Sequence, residues 1–289
     1  MIFNHKPVLL KKIIENLDVR KEGKYIDATI GGGGYAEAIL EKGGRVLGID
    51  ADQDAIEFVK NKFQIKNQLI LVQDNFANIK KIAEEQGFVN ADGIVFDLGL
   101  SSYQIEQSGR GFSFLRDEPL DMRMDKRKEI KAADIINQFS REELYDLFTK
   151  MGEERFSLPI ANNIIRARRI KPIETSLEFA RIVEEVIPRS GKIHPATKVF
   201  QALRIIVNDE LKSLEKGIVD GIDILKQKGR MIVVSFHSLE DRKVKEEFRK
   251  YEYKGLGNAL NKKPITADEN ELYENPRARS AKMRVFEKI

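Results

Sequence analysis

The sequence predicts an α/β protein: a Rossmann-like, doubly wound parallel sheet with a helical domain inserted into it. Three observations carry that reading. Short apolar runs alternate with helix-like segments over the N-terminal third, as strands and crossover helices do. The first run leads into a glycine-rich turn, Asp27-Ala-Thr-Ile-Gly31-Gly-Gly-Gly34-Tyr35. A long stretch of helical periodicity then separates the fourth strand-like run from the fifth.

Residues 24–29 suit a buried parallel strand and 36–42 a helix, so the glycines fall in the first strand-to-helix turn. Glycine is required at such a turn for positive φ and for the missing Cβ, and the helix N-terminus behind it offers unpaired N–H groups. A second strand follows at 45–50, a helix at 54–63, a third strand at 69–73, a helix at 77–86 and a fourth strand at 93–97. Residues 104–203 read as a mostly helical domain placed where substrate bases would lie, between a core of 1–103 and its second part, 204–289. Within it Ser140 and Glu143 form a capping box ahead of Leu144, and 177–187 has similar periodicity. A helix, interrupted or not, over 200–227 returns the chain to the sheet, where 229–235 and 283–286 supply further strands. Residues 254–274 are polar and aperiodic and are expected to form a long loop.

Composition narrows the chemistry. The 289 residues suffice for one large domain or a core with an insertion. Cysteine is absent, which removes disulfides, thiolate metal sites and cysteine nucleophiles, and no metal is expected. No stretch approaches the ~20 apolar residues of a membrane span, and the N-terminus lacks a signal-peptide core, so a soluble, cytoplasmic protein without a membrane partner is expected. The net charge of +4 is a weak argument for a nucleic-acid partner. Local clusters are stronger: Arg277, Arg279, Lys282 and Arg284 lie together without an acid, as do Arg166, Arg168, Arg169 and Lys171.

The glycines do not name a ligand, since Gly31, Gly33 and Ala36 also satisfy the loose dinucleotide pattern. The polar residues at successive strand ends do more. S-adenosylmethionine asks for an acid near the first strand to meet its ammonium, a carboxylate for its ribose hydroxyls, and an acceptor with an apolar wall for its adenine. Asp27, Asp50, and Asp74 with Phe76 stand in that order. The fourth strand ends in Asp97-Leu-Gly-Leu-Ser101-Ser102, at the edge of the sheet where ligands bind. An exocyclic amine on a nucleobase is a poor nucleophile because its lone pair is delocalised. A fixed acceptor, the Asp97 carboxylate or a loop group such as Ser101, favours its pyramidal form as attack begins.

With these residues in view, the chain resembles the bacterial RsmH (MraW) methyltransferases nearly end to end. The resemblance is carried by His5-Lys-Pro-Val-Leu-Leu10, Gly31 to Gly34, Asp97-Leu-Gly-Leu-Ser-Ser102, Arg110-Gly-Phe-Ser-Phe114, Pro119-Leu-Asp-Met-Arg-Met-Asp125, Gly152-Glu-Glu-Arg-Phe156, His194-Pro-Ala-Thr197, Ser235-Phe-His-Ser-Leu-Glu-Asp-Arg242 and Asn275-Pro-Arg-Ala-Arg279. It implies the class I methyltransferase fold with a helical insertion. It also implies methylation of N4 of a decoding-site cytosine in 16S ribosomal RNA, within the small subunit, with S-adenosylmethionine as cofactor. Cofactor contacts are implied at Gly33, Gly34, Tyr35, Asp50, Phe76, Asp97 and Gln104. Tyr35 stands where the family usually has histidine, which leaves only a backbone contact expected there.

Asp97, with Ser101 and His237 as further candidates, is assigned to catalysis, and Arg110, Arg242, Arg277, Arg279, Lys282 and Arg284 to RNA. Bland readings stand beside these: His237 donating to a backbone carbonyl, Asp121, Arg123 and Asp125 pairing with one another, and His5 tying down the N-terminus. Oligomeric state stays open, a homodimer included. Two rival functions also remain open, a nicotinamide-dependent oxidoreductase and a non-catalytic ribosome-assembly factor that keeps the pocket as a folding element.

Overall fold

The computed structural model describes residues 7–63, 68–187 and 194–289. It divides into two compact units, Met1–Ser101 with Leu211–Ile289, and Ser102–Glu210. The first unit opens with α1 (Leu10–Leu17), then β1 (Lys24–Asp27), α2 (Gly34–Glu41), β2 (Arg45–Asp50), α3 (Gln53–Lys62), β3 (Leu69–Gln73), α4 (Ile79–Gln86) and β4 (Ala91–Asp97). The second holds α5 (Ser102–Glu106), α6 (Ala132–Gln138), α7 (Arg141–Lys150), α8 (Ser157–Arg168), α9 (Ser176–Glu184) and α10 (Thr197–Asn208). The chain then re-enters the first unit through α11 (Glu210–Ile224), β5 (Leu225–Ser235), α12 (Ser238–Tyr253), β6 (Gly257–Ala259), α13 (Glu269–Glu274) and β7 (Lys282–Lys288).

The seven strands form one sheet in the order β3-β2-β1-β4-β5-β7-β6. The first five are mutually parallel, and β7 runs antiparallel to both β5 and β6. This is the class I methyltransferase arrangement. Each central strand alternates between two cores, as a sheet covered on both faces must. Ile26, Ile94, Phe96, Met231 and Val233 meet Ile82, Ile218 and Phe248 of α4, α11 and α12 on one face. Tyr25, Val95, Ile232 and Val234 meet Ile13, Ile39 and Val59 of α1, α2 and α3 on the other.

In the second unit the capping box forms as read: Ser140 Oγ accepts from the Glu143 N–H at 3.2 Å, and Glu143 accepts from the Ser140 N–H at 2.7 Å. The unit runs to Glu210, further than 203, because α10 packs on α6 and α7. The helix expected over 200–227 breaks at Asp209, whose φ of 54° is left-handed, and gives way to β5 at Leu225. Residues 254–274 are not one long loop but contain β6 and α13. Neither carries an apolar period to read: β6 pairs through its backbone, with Gly257 placed where a Cβ would sit 2.1 Å from the Phe286 ring, and α13 has no buried residue. His5 lies outside the described residues.

Candidate active site

Parallel pairing brings Asp27, Asp50, Gln73 and Asp97 to the carboxyl edge of one sheet. β1 has β2 on one side and β4 on the other, so the strand order reverses between β1 and β4, the switch point where ligands bind in such sheets. Asp27 and Asp97 flank it. Thr29 stitches the two strand ends together, its Oγ1 accepting from the Asp97 N–H at 2.7 Å.

The glycine turn is built by the strand ends. Gly31 and Gly33 hold φ of 46° and 75°, and Gly33 caps α2 without a side chain. Asp50 spans the turn, Oδ2 accepting from the Gly31 N–H and Oδ1 from the Asp52 N–H, both at 2.9 Å. A carboxylate oxygen can accept more than one hydrogen bond, the capacity that a pair of vicinal hydroxyls calls for. Gly34 sits against Pro7, where a Cβ would fall 2.1 Å from the proline Cγ. Phe76 is half-buried, edge-on to Phe96 at 5.5 Å and against Gly217, while Asp74 Oδ1 accepts from the Asn75 N–H and the Asn78 amide.

Two carboxyls are strained electrostatically. Asp27 is fully buried, and among the described residues its Oδ2 has no hydrogen-bond partner; nor does Asp97 Oδ1. Burial pushes both up to about 7, with the Asp97 and Asp50 charges adding to the rise at Asp27 and the Glu240 charge to that at Asp97. Tyr35 is buried, and its hydroxyl meets the Val8 carbonyl and Asp97 Oδ2 rather than opening toward a ligand. Burial beside Asp97 raises that phenol well above its ordinary range.

His237 is the N-cap of α12. Its Nδ1 accepts from the Glu240 N–H at 3.4 Å, Glu240 accepts from the His237 and Phe236 N–H groups, and His237 Nε2 lies 3.0 Å from Glu240 Oε1. This is capping chemistry, with the imidazole accepting a backbone N–H rather than donating to a carbonyl. Ser101 is half-buried after β4, and Gln104 is buried in the second unit.

The cations divide sharply. Arg284 is 7% exposed and paired with Asp241 at 2.7 Å, so it is not offered to a phosphate. Arg110, 4% exposed, donates to the Arg123 and Met124 carbonyls inside the second unit. Asp121 and Arg123, and Asp125 and Arg127, form local ion pairs. Arg168 donates to the Ile136 and Phe139 carbonyls at the end of α6. Arg279 and Arg242 are exposed, Arg277 and Lys282 half-exposed, and Lys282 reaches Asp241 only at 3.8 Å.

Residues 2–289 match the MraW methylase family. The chain belongs to that family. Among similar MraW methylases, the ribosomal RNA small subunit methyltransferase H of Acetivibrio thermocellus is 46% identical, with all of both chains covered. That of Halothermothrix orenii is 45% identical over all of this chain and 99% of its own. A solved rRNA methylase from Streptococcus thermophilus aligns over 98% of both chains at 11% identity with a TM-score of 0.47.

The residues of this MraW methylase fit S-adenosylmethionine: two unpartnered carboxyl oxygens beside a glycine turn suit a ligand carrying an ammonium and a sulfonium. Sequence reasoning missed Thr29 and Glu240. Glu240 was within reach, standing at the third position of a helix as the acid of a capping box does. Thr29 had no signal, because its bond to Asp97 crosses between strands.

Proposed function

We propose that the protein methylates small-subunit ribosomal RNA, at the N4 amine of a decoding-site cytosine, with S-adenosylmethionine as donor. The pair of unsatisfied carboxyl oxygens at the switch point carries this reading. When bound, S-adenosylmethionine supplies a methyl group made electrophilic by its sulfonium. Asp27 and Asp97 bind the cationic end, Asp50 accepts from the ribose hydroxyls, and Phe76 walls the adenine. Asp97 Oδ1, rigid because Thr29 and Tyr35 fix the residue, accepts a hydrogen bond from the cytosine amine and turns its lone pair toward the methyl group. The methylated ammonium is acidic enough to lose its proton to Asp97 or water. Arg242, Arg277, Arg279 and Lys282 neutralise RNA phosphates, and the helical unit serves RNA recognition.

Nucleoside mass spectrometry of small-subunit RNA from cells with and without the gene tests this. N4-methylated cytidine should fall when the gene is removed and return with it. An unchanged N4 signal, with another methylated nucleoside lost, overturns the base assignment; no change in any methylated nucleoside favours the assembly-factor reading.

A further inference from the structure

The Tyr35 hydroxyl has one proton and two acceptors. Its oxygen lies 2.6 Å from the Val8 carbonyl oxygen and 3.0 Å from Asp97 Oδ2. A carbonyl has no proton to give, so at that shorter distance the phenol must donate to Val8. The longer contact then needs its proton from the carboxyl. We propose that Tyr35 is a positioning residue that accepts a hydrogen bond from a protonated Asp97 in the ligand-free protein, and that Asp97 releases this proton when the cationic methyl donor binds. The proposal rests on the methyltransferase reading above.

The surroundings support it. The charges acting on the pair are acidic: Glu240 on α12 raises Asp97, and Asp27 on β1 and Glu271 on α13 raise Tyr35. Burial, with the Glu240 charge behind it, holds the Asp97 carboxyl up at about 7, whereas a hydrogen bond donated by Tyr35 would lower it. A bound cation reverses the balance. The Asp97 O–H bond breaks, its electron pair stays on the carboxyl, and the proton passes to solvent. Donor affinity therefore rises with pH up to about 7 and levels off above it, since above that value no proton needs to be displaced. Phenylalanine at position 35 would fill the same space and leave both Val8 O and Asp97 Oδ2 without the hydroxyl.

The Asp97 titration can be read directly from ¹³C carboxyl shifts of aspartate-labelled, ligand-free protein, assigned with Asp97→Asn. The midpoint is expected near 7 in the parent. In Tyr35→Phe it should fall by about half to one pH unit, the worth of one neutral hydrogen bond. A midpoint that rises shows the phenol donating to the carboxylate and overturns the proposal; so does an unmoved midpoint, or a parent value in the ordinary carboxylate range. Calorimetry with S-adenosylmethionine, below and above neutrality in two buffers of different ionisation heat, supplies a second readout. Proton release is expected below neutrality in the parent and should shrink in Asp97→Asn, the remainder coming from Asp27, whose carboxyl also stands at about 7. Binding without release, or release undiminished in Asp97→Asn, overturns the proposal while leaving the donor site in place. Absence of S-adenosylmethionine binding overturns the methyltransferase reading itself. If Tyr35→Phe does not fold, the parent midpoint and the Asp97→Asn calorimetry decide alone.

Discussion

Asp50 holds the Gly31 and Asp52 N–H groups through its two carboxylate oxygens, at the edge of the sheet where the ribose is placed. Asp50→Ala is expected to weaken S-adenosylmethionine binding by about tenfold or more, since hydrogen bonds to a charged acceptor are worth roughly 1.5–3 kcal/mol each. Calorimetry checks this, and affinity unchanged within about twofold, well under the 1.4 kcal/mol of a tenfold change, would remove the ribose assignment. Asp97→Asn keeps shape but removes the anion, so single-turnover methyl transfer at saturating donor should drop by about 10² to 10³. Melting earlier while transferring methyl at the parent rate would reassign Asp97 to structure and leave Ser101 or a loop carbonyl as acceptor. The acidic strand ends were legible because parallel strands share an edge whatever their neighbours. The arginines were not: Arg110, Arg168 and Arg284 read as free cations, and each finds its partner in residues distant along the chain. Residue type announces charge, whereas availability is set by the tertiary structure.

At the scale of elements, local chemistry was most readable where a side chain satisfies its own backbone. The α7 capping box follows from four residues, and α12 repeats it with His237 in the serine position, which hid a structural role behind a catalytic residue type. Elements without apolar periodicity, β6 and α13, escaped the reading because backbone pairing, a cap and single contacts such as Leu272 and Ala259 hold them rather than a repeating apolar face. The turn into α2 is governed by sterics. At Gly33 a Cβ would meet both the positive φ of 75° and the Phe63 ring at 2.8 Å. Gly33→Ala should therefore lower stability by about 1–3 kcal/mol in urea denaturation. A variant as stable as the parent would show that α3 yields easily to the turn.

Across the whole molecule, the mild net charge conceals two kinds of cation, and salt separates them. Replacing Arg277, Arg279 and Lys282 with alanine should reduce the log-log slope of RNA affinity against salt by roughly 0.7 for each phosphate that is no longer neutralised. Arg284→Ala should instead leave the slope alone and cost about 3 kcal/mol of stability, because it removes the close ion pair of Asp241 and leaves it Lys282 at 3.8 Å. A slope unchanged by the triple variant would return those residues to the fold. The overall α/β order was legible from alternation alone, while the sheet's far side was not, since the place of β7 depends on pairing rather than on pattern. That place has a consequence for synthesis. β7 lies between β5 and β6, so one side of β5 has no partner until residues 282–288 exist. On the ribosome, β1 to β4 emerge first, and β4 then waits for β5 through the making of Ser102–Glu210, a unit with its own interior that can fold meanwhile. The growing chain thus carries an open apolar strand edge for much of its production, the kind that recruits other chains. A polypeptide released before Lys282 would keep that edge permanently and become a substrate for proteases and chaperones.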